Sequence, residues 1–109
     1  MKSYEVVINR CYGGFSLSQE AIVLGIELAE ARGCENENWV WDAEYKYGKF
    51  TGPRHDPILV EVVKRLGERA SGSCAKLVVE TIYTSVYKIN DYDGMESVKY
   101  GDDSWVIIT

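Results

Sequence analysis

The pair Asp56-Pro57 constrains this chain more than any other feature of its sequence. An Asp side chain accepts from the free N–H groups of a helix's first turn. Pro suits the first helical position, where its missing N–H has no partner to lose. The residues that follow keep helical spacing: Ile58, Leu59, Val62, Val63 and Leu66 form one apolar stripe, and Gly67 stands where it would stop. The spacing predicts a helix over Pro57–Leu66 that must bury one side. A second segment obeys the same rules. Ser18 is a good N-cap with Leu17 and Ile22 at the staple positions, and Ser16 with Gln19 offers a competing capping box. Apolar residues recur at Ala21, Leu24 and Leu28 and at Ile22, Ile26 and Ala29, and Gly33 is placed for a left-handed end. This predicts a helix over Ser18–Arg32.

The helices need a surface to lie on, and the rest of the chain reads as strands. Val6-Val7-Ile8 is β-branched and unbroken, as in a central strand buried on both faces, and it runs out at Gly13-Gly14. From Trp39 to Tyr47 the chain alternates with period two. Trp39, Trp41, Ala43, Tyr45 and Tyr47 share one predicted face, with Asp42, Glu44 and Lys46 on the other, and residues 48–53 form a turn-rich connection. Leu77–Ile82 and Val86–Asn90 are further strands, Asp91–Gly94 is a turn, and Ser104–Thr109 closes the chain as a β-segment. The predicted order is β-α-β-α-β-β-β. Strands that look hairpin-linked toward the end favour the α+β class, with two helices packed on one face of a largely antiparallel sheet. With 109 residues and no linker, repeat or low-complexity tract, residues 1–109 read as a single domain.

Charge narrows the partners. A net charge of −5, from 17 acidic and 12 basic side chains, argues against an extensive nucleic-acid footprint, which needs clustered Lys and Arg. No apolar run is long enough to span a bilayer, and Lys2 directly after Met1 leaves no apolar leader, so a cytoplasmic location is expected. Three cysteines, Cys11, Cys34 and Cys74, cannot all pair within one chain and show no C-x-x-C spacing, so reduced thiols and no cofactor are expected. Eight Tyr and three Trp against two Phe suit half-buried surfaces and interfaces, and the Trp39–Tyr47 face motivates an expected homo-oligomer.

Several places hold residues suited to chemistry. Gly13-Gly14 lies between a strand and a helix N-terminus, a setting for phosphate or carboxylate, although no complete phosphate fingerprint is present and a plain tight turn is the more ordinary explanation of the glycines. Arg54-His55 precedes the Asp56 cap, where an arginine fork can hold an anion or simply lie in solvent. Cys11 with His55 has the order of a thiol nucleophile and its base, against the bland reading of a small packed cysteine. Asp91 and Asp93 can help hold a metal, but the stretch fails as an EF-hand loop because Ile89 and Tyr100 fall where ligands belong, and an Asx turn is the ordinary role. The aromatic face can stack a base, dock a partner or fill a core.

The strings Ile8-Asn9-Arg10-Cys11-Tyr12-Gly13-Gly14-Phe15-Ser16-Leu17-Ser18, Arg54-His55-Asp56-Pro57 with Leu59-Val60, and Asp91-Tyr92-Asp93-Gly94-Met95-Glu96 together resemble a family of small tailed-phage and prophage proteins, most without assigned function. The resemblance spans nearly the whole chain. Where that family often ends in a His-Arg and Trp pattern, this chain reads Asp102-Asp103-Ser104-Trp105, so no basic pair carries over. The resemblance implies an accessory protein acting in a host cytoplasm, such as a counter-defence protein that binds a host component or soaks up a small signalling nucleotide.

The expectation is therefore a non-enzymatic binding protein. Its partner would be an anionic small molecule or a host protein, and its ligand set Arg10, Gly13, Gly14, Arg54, His55, Asn90 and Asp91. The alternatives are a small hydrolase or transferase using Cys11 and His55, or a metal on Asp91 and Asp93, and a structural or assembly protein. The three classes separate on whether these residues converge on one concave surface.

Overall fold

The computed structural model describes residues 2–100 and 106–108. In chain order the elements are β1 (Tyr4–Asn9), α1 (Gln19–Ala31), β2 (Trp39–Asp42), β3 (Tyr47–Phe50), α2 (Pro57–Leu66), β4 (Leu77–Ile82), β5 (Val86–Tyr92), β6 (Met95–Tyr100) and β7 (Val106–Ile107), with a 3-10 turn over Gly67–Ala70. The strands form three small antiparallel sheets, β1-β4, β2-β3 and β6-β5-β7. The fold is α+β.

Both helices form where their caps dictate. Ser18 Oγ accepts from the Ala21 N–H at 3.1 Å, and Asp56 Oδ1 accepts from Ile58 and Leu59 at 2.8 and 3.2 Å, with Pro57 in the first turn. Helix α1 ends at Gly33, whose φ of +68° lets the Cys34 N–H turn back to the Ala29 carbonyl at 2.8 Å.

The β1-β4 pair is the middle layer. On one side, Val7 and Leu77 pack with Ala21, Ile22 and Ala29 of α1 and Leu59, Val62 and Val63 of α2. On the other, Val6, Ile8 and Ile82 pack with Tyr87 of β5 and Val98 of β6. Cover from both sides explains the unbroken apolar run at Val6–Ile8, which is buried throughout.

Two strands differ from the sequence expectation, which makes the order β-α-β-β-α-β-β-β-β. The Trp39–Tyr47 alternation is not one strand but a hairpin with its turn at residues 43–46. Asp42 Oδ1 accepts from the N–H groups of both Glu44 and Tyr45 at 3.1 Å, which turns the chain, and Lys46 takes the left-handed conformation at φ +56°. The single aromatic face is therefore broken. Trp39 is buried against Phe50 with ring centroids 4.7 Å apart and closes on α1 at Gly25, where a Cβ would lie 2.3 Å from the indole. Tyr45 stands in solvent, 69 % exposed.

Strand β6 carries no apolar alternation in its sequence because one of its inward positions is a carboxylate. Glu96 and Val98 are the buried pair that alternates with Ser97 and Lys99. Of the closing segment, Val106 and Ile107 pair with Tyr87 and Val86 of β5, while Ser104, Trp105 and Thr109 lie outside the described residues.

One connection positions the candidate site. Leu17, fully buried, lies as a single strand-like residue between Gly48 and Ser71. It exchanges backbone hydrogen bonds with Gly48 at 3.0 and 2.7 Å, and the Gly72 N–H donates to the Ser16 carbonyl at 3.0 Å. The loop before α1, the β2-β3 hairpin and the loop before β4 are thereby laid side by side. Among the described residues no helix is long and apolar enough to cross a membrane.

Candidate functional site

The three strings singled out in the sequence meet in space. Their junction is Asn9, the last residue of β1, which has no exposed surface. Its backbone N–H donates to Glu96 Oε1 at 2.7 Å. Its Nδ2 donates to the carbonyls of Cys11 and Gly94 at 2.8 and 2.7 Å, and its Oδ1 accepts from the Lys76 N–H at 2.8 Å. A buried amide used on both sides in this way is satisfied and costs little. Glu96 receives both arms of the Arg54 guanidinium, at 2.6 and 2.8 Å, and Arg54 lies across the Phe15 ring at 3.7 Å from its centroid. The tip of the β5-β6 hairpin closes over the glycine loop: the Gly13 N–H donates to the Asp93 carbonyl at 3.1 Å. Gly94 sits at φ +89° so close that a Cβ there would lie 2.1 Å from the Gly14 nitrogen.

The expected ligand residues have the following places. Arg54 is turned inward to Glu96. Gly13 and Gly14 lie beneath the hairpin tip, and the α1 N-terminus is capped by Ser18. Asp91 accepts from the Gly94 N–H at 2.7 Å as an Asx turn. Arg10 and Asn90 are exposed, Arg10 at the end of β1 and Asn90 along β5. His55 shares a hydrogen bond between its Nδ1 and the buried Tyr87 hydroxyl at 2.7 Å. Burial holds the His55 pKa below its ordinary value, against the pull of neighbouring Asp56. Burial likewise raises that of Tyr87, opposed by Arg54. His55 also lines a separate shallow depression of about 370 Å³ with Glu5, Pro57, Val60, Glu61 and Lys64. Gly13, Gly14, Arg54 and Asp91 thus meet at or beside a structural junction, while His55 lines a different depression.

The catalytic alternatives find different partners. Cys11 Sγ lies 3.5 Å from the Tyr12 carbonyl, while His55 is engaged with Tyr87. Among the described residues no group of three His, Cys, Asp or Glu side chains is placed to hold a metal.

A concave site lies beside the junction, and sequence reasoning missed most of it. A groove of about 360 Å³ is lined by Gly13, Phe15, Ser16, Tyr45, Tyr47, Ser73 and Cys74. Three neighbouring loops build it, brought together by the Leu17 bridges. The Tyr45 and Tyr47 rings are tilted by 47° with centroids 6.5 Å apart. Lys49 reaches over the Tyr47 ring, 5.4 Å from its centroid, and pairs with Asp42 at 3.6 Å. The Tyr45 N–H, with help from Lys49, holds the Asp42 carboxyl below the usual carboxylate range. The available signal was Tyr45-x-Tyr47 following Asp42, which reads as a hairpin tip once Asp42 is given its turn-forming role. No protein-family model, curated protein or solved structure matches the chain.

Proposed function

We propose that this chain is a non-enzymatic binding protein that holds a small molecule of the nucleotide class in the groove between Phe15, Tyr45 and Tyr47. The observation that carries this reading is that Phe15, Tyr45 and Tyr47 line one concavity together with Ser16 and Ser73. Aromatic faces accept a base of any identity, and a few polar groups at the edge fix its orientation. The resemblance to small phage proteins fits a counter-defence role in which such a molecule is sequestered rather than converted. Calorimetric titration with nucleosides and nucleotides tests it. Tyr45→Ala should weaken binding about tenfold, within the ~1–3 kcal/mol typical of base stacking. Its exposed side chain makes the melting temperature insensitive to the change. Binding that is unaffected by both Tyr45→Ala and Tyr47→Ala would remove the groove from consideration.

A second reading, self-association, is favoured by Tyr12, Tyr45 and Tyr92, which are 59, 69 and 74 % exposed, the first two on loops and the third at the end of β5. Exposed, rigid aromatic side chains are contact residues of low entropic cost. Sedimentation at micromolar concentration checks it: the parent should form a dimer or larger assembly, and the combined Tyr12→Ser and Tyr92→Ser variant should be monomeric. A monomeric parent rules it out.

A further inference from the structure

We infer, resting on the reading of the groove as a ligand site, that it takes one neutral, ring-bearing unit of nucleoside size and does not read a phosphate. Every side chain that lines it is uncharged. Of the cations near it, Lys46 is exposed at the hairpin tip and is not among the residues that line the groove, and two others are committed elsewhere. Arg54, stacked on Phe15, gives both guanidinium arms to Glu96, and Lys49 is paired with Asp42 over the Tyr47 ring. Several backbone donors of the kind that hold phosphate are also taken. The Gly13 N–H donates to the Asp93 carbonyl, the first turn of α1 is capped by Ser18, and that of α2 already carries the carboxylate of Asp56. An anion entering here would lose its hydration without a fixed charge to replace it.

What the groove does offer suits a different chemistry. Phe15, Tyr45 and Tyr47 line it with aromatic rings, and Ser16 and Ser73 carry hydroxyls that can both donate and accept. These are the contacts of a planar base with hydroxyls at its edge. The volume of about 360 Å³ lies near the lower end of the ~300–1,000 Å³ of small-molecule sites. That size admits one nucleoside, not a dinucleotide, and leaves any attached phosphate outside in water.

The test uses the full chain and a defined set of probes: adenosine, uridine, their 5′-monophosphates, inorganic phosphate and methyl glucoside. Titration calorimetry is run between about 50 and 200 mM salt, a range over which each phosphate contact weakens about threefold. Alkylation of the exposed Cys74, which lines the groove, reports location, with the exposed Cys34 outside it as the internal control. The expected result is that a nucleoside and its monophosphate bind within about threefold of each other, that salt leaves both unchanged, and that bound ligand slows alkylation at Cys74 but not at Cys34. A monophosphate bound tenfold or more tighter than its nucleoside, with affinity falling as salt rises, or competition by inorganic phosphate, overturns the inference while the ligand-site reading stands. Binding of the glucoside in place of the nucleosides overturns the nucleoside class. No binding of any probe at millimolar concentration, with Cys74 unprotected, overturns the inference and the ligand-site reading together.

Discussion

The Arg54 guanidinium is held by both carboxylate oxygens of Glu96, at 2.6 and 2.8 Å, across 42 residues of sequence. The Arg54 side chain is 21 % exposed and that of Glu96 only 5 %. Glu96 also takes the Asn9 N–H, so one carboxylate ties the end of β1, the loop before α2 and strand β6 to one another. Removing one partner of such a pair leaves an uncompensated charge. Glu96→Ala should therefore cost about 3–5 kcal/mol, measured by urea unfolding, whereas replacing both residues with Met should cost less than the sum of the single changes. A loss below about 1 kcal/mol for Glu96→Ala would show that the junction does not hold these elements together.

Gly94→Ala tests the contact between the hairpin tip and the glycine loop. The backbone there has φ +89°, and a Cβ would meet the Gly14 nitrogen at 2.1 Å. Strain of this kind costs about 1–3 kcal/mol before the steric clash is added, so a loss of at least ~2 kcal/mol is expected. Amide exchange should accelerate in residues 11–14 as well as in the hairpin itself. Unchanged exchange in residues 11–14 would contradict the contact.

The two caps should each matter by a similar amount. Ser18→Ala removes the acceptor of the Ala21 N–H, and Asp56→Ala removes the acceptor shared by Ile58 and Leu59. Each should lower stability by about 1 kcal/mol, within the ~0.5–2 kcal/mol range of cap deletions, while Asp56→Asn should retain most of the effect. Thermal unfolding of the three variants measures this directly.

Acid should weaken the fold in two stages. The unfolded chain protonates His55 near its ordinary value of 6.5, whereas burial holds the folded-state value lower. As the pH falls through this interval the unfolded state binds the extra proton, so stability is full above about pH 6.5 and declines below it. Asp42 and Glu61 are both held below the usual carboxylate range, chiefly by the Tyr45 N–H and by Arg32 respectively, and they add a second loss at lower pH. Replacing His55 with Gln should flatten the stability profile between about pH 7 and 5 and leave the lower stage in place. A parent profile already flat in that interval would exclude the histidine contribution.

Much of the secondary structure is dictated locally and is legible in the order of residues. Ser18 and Asp56 start their helices, Gly33 and Gly67 end them, and Asp91 turns its hairpin, because each acts on backbone groups within a few residues of itself. The unbroken Val6–Ile8 run likewise announces a strand covered on both faces. The Trp39–Tyr47 alternation misled because period two continues through a turn, and only the hydrogen bonds of Asp42 reveal the break. The tertiary structure alone decided what Arg54 does. A local reading shows a cation before a helix, whereas its partner Glu96 stands on a strand that reads as polar until its burial is known. It also decided where a ligand can sit, since the groove joins Gly13, Tyr45 and Cys74, residues far apart in the chain that the bridges at Leu17 bring together. Local hydrogen bonding and periodicity encode neighbours along the chain, but the pairing of distant groups depends on which surfaces the core brings into contact.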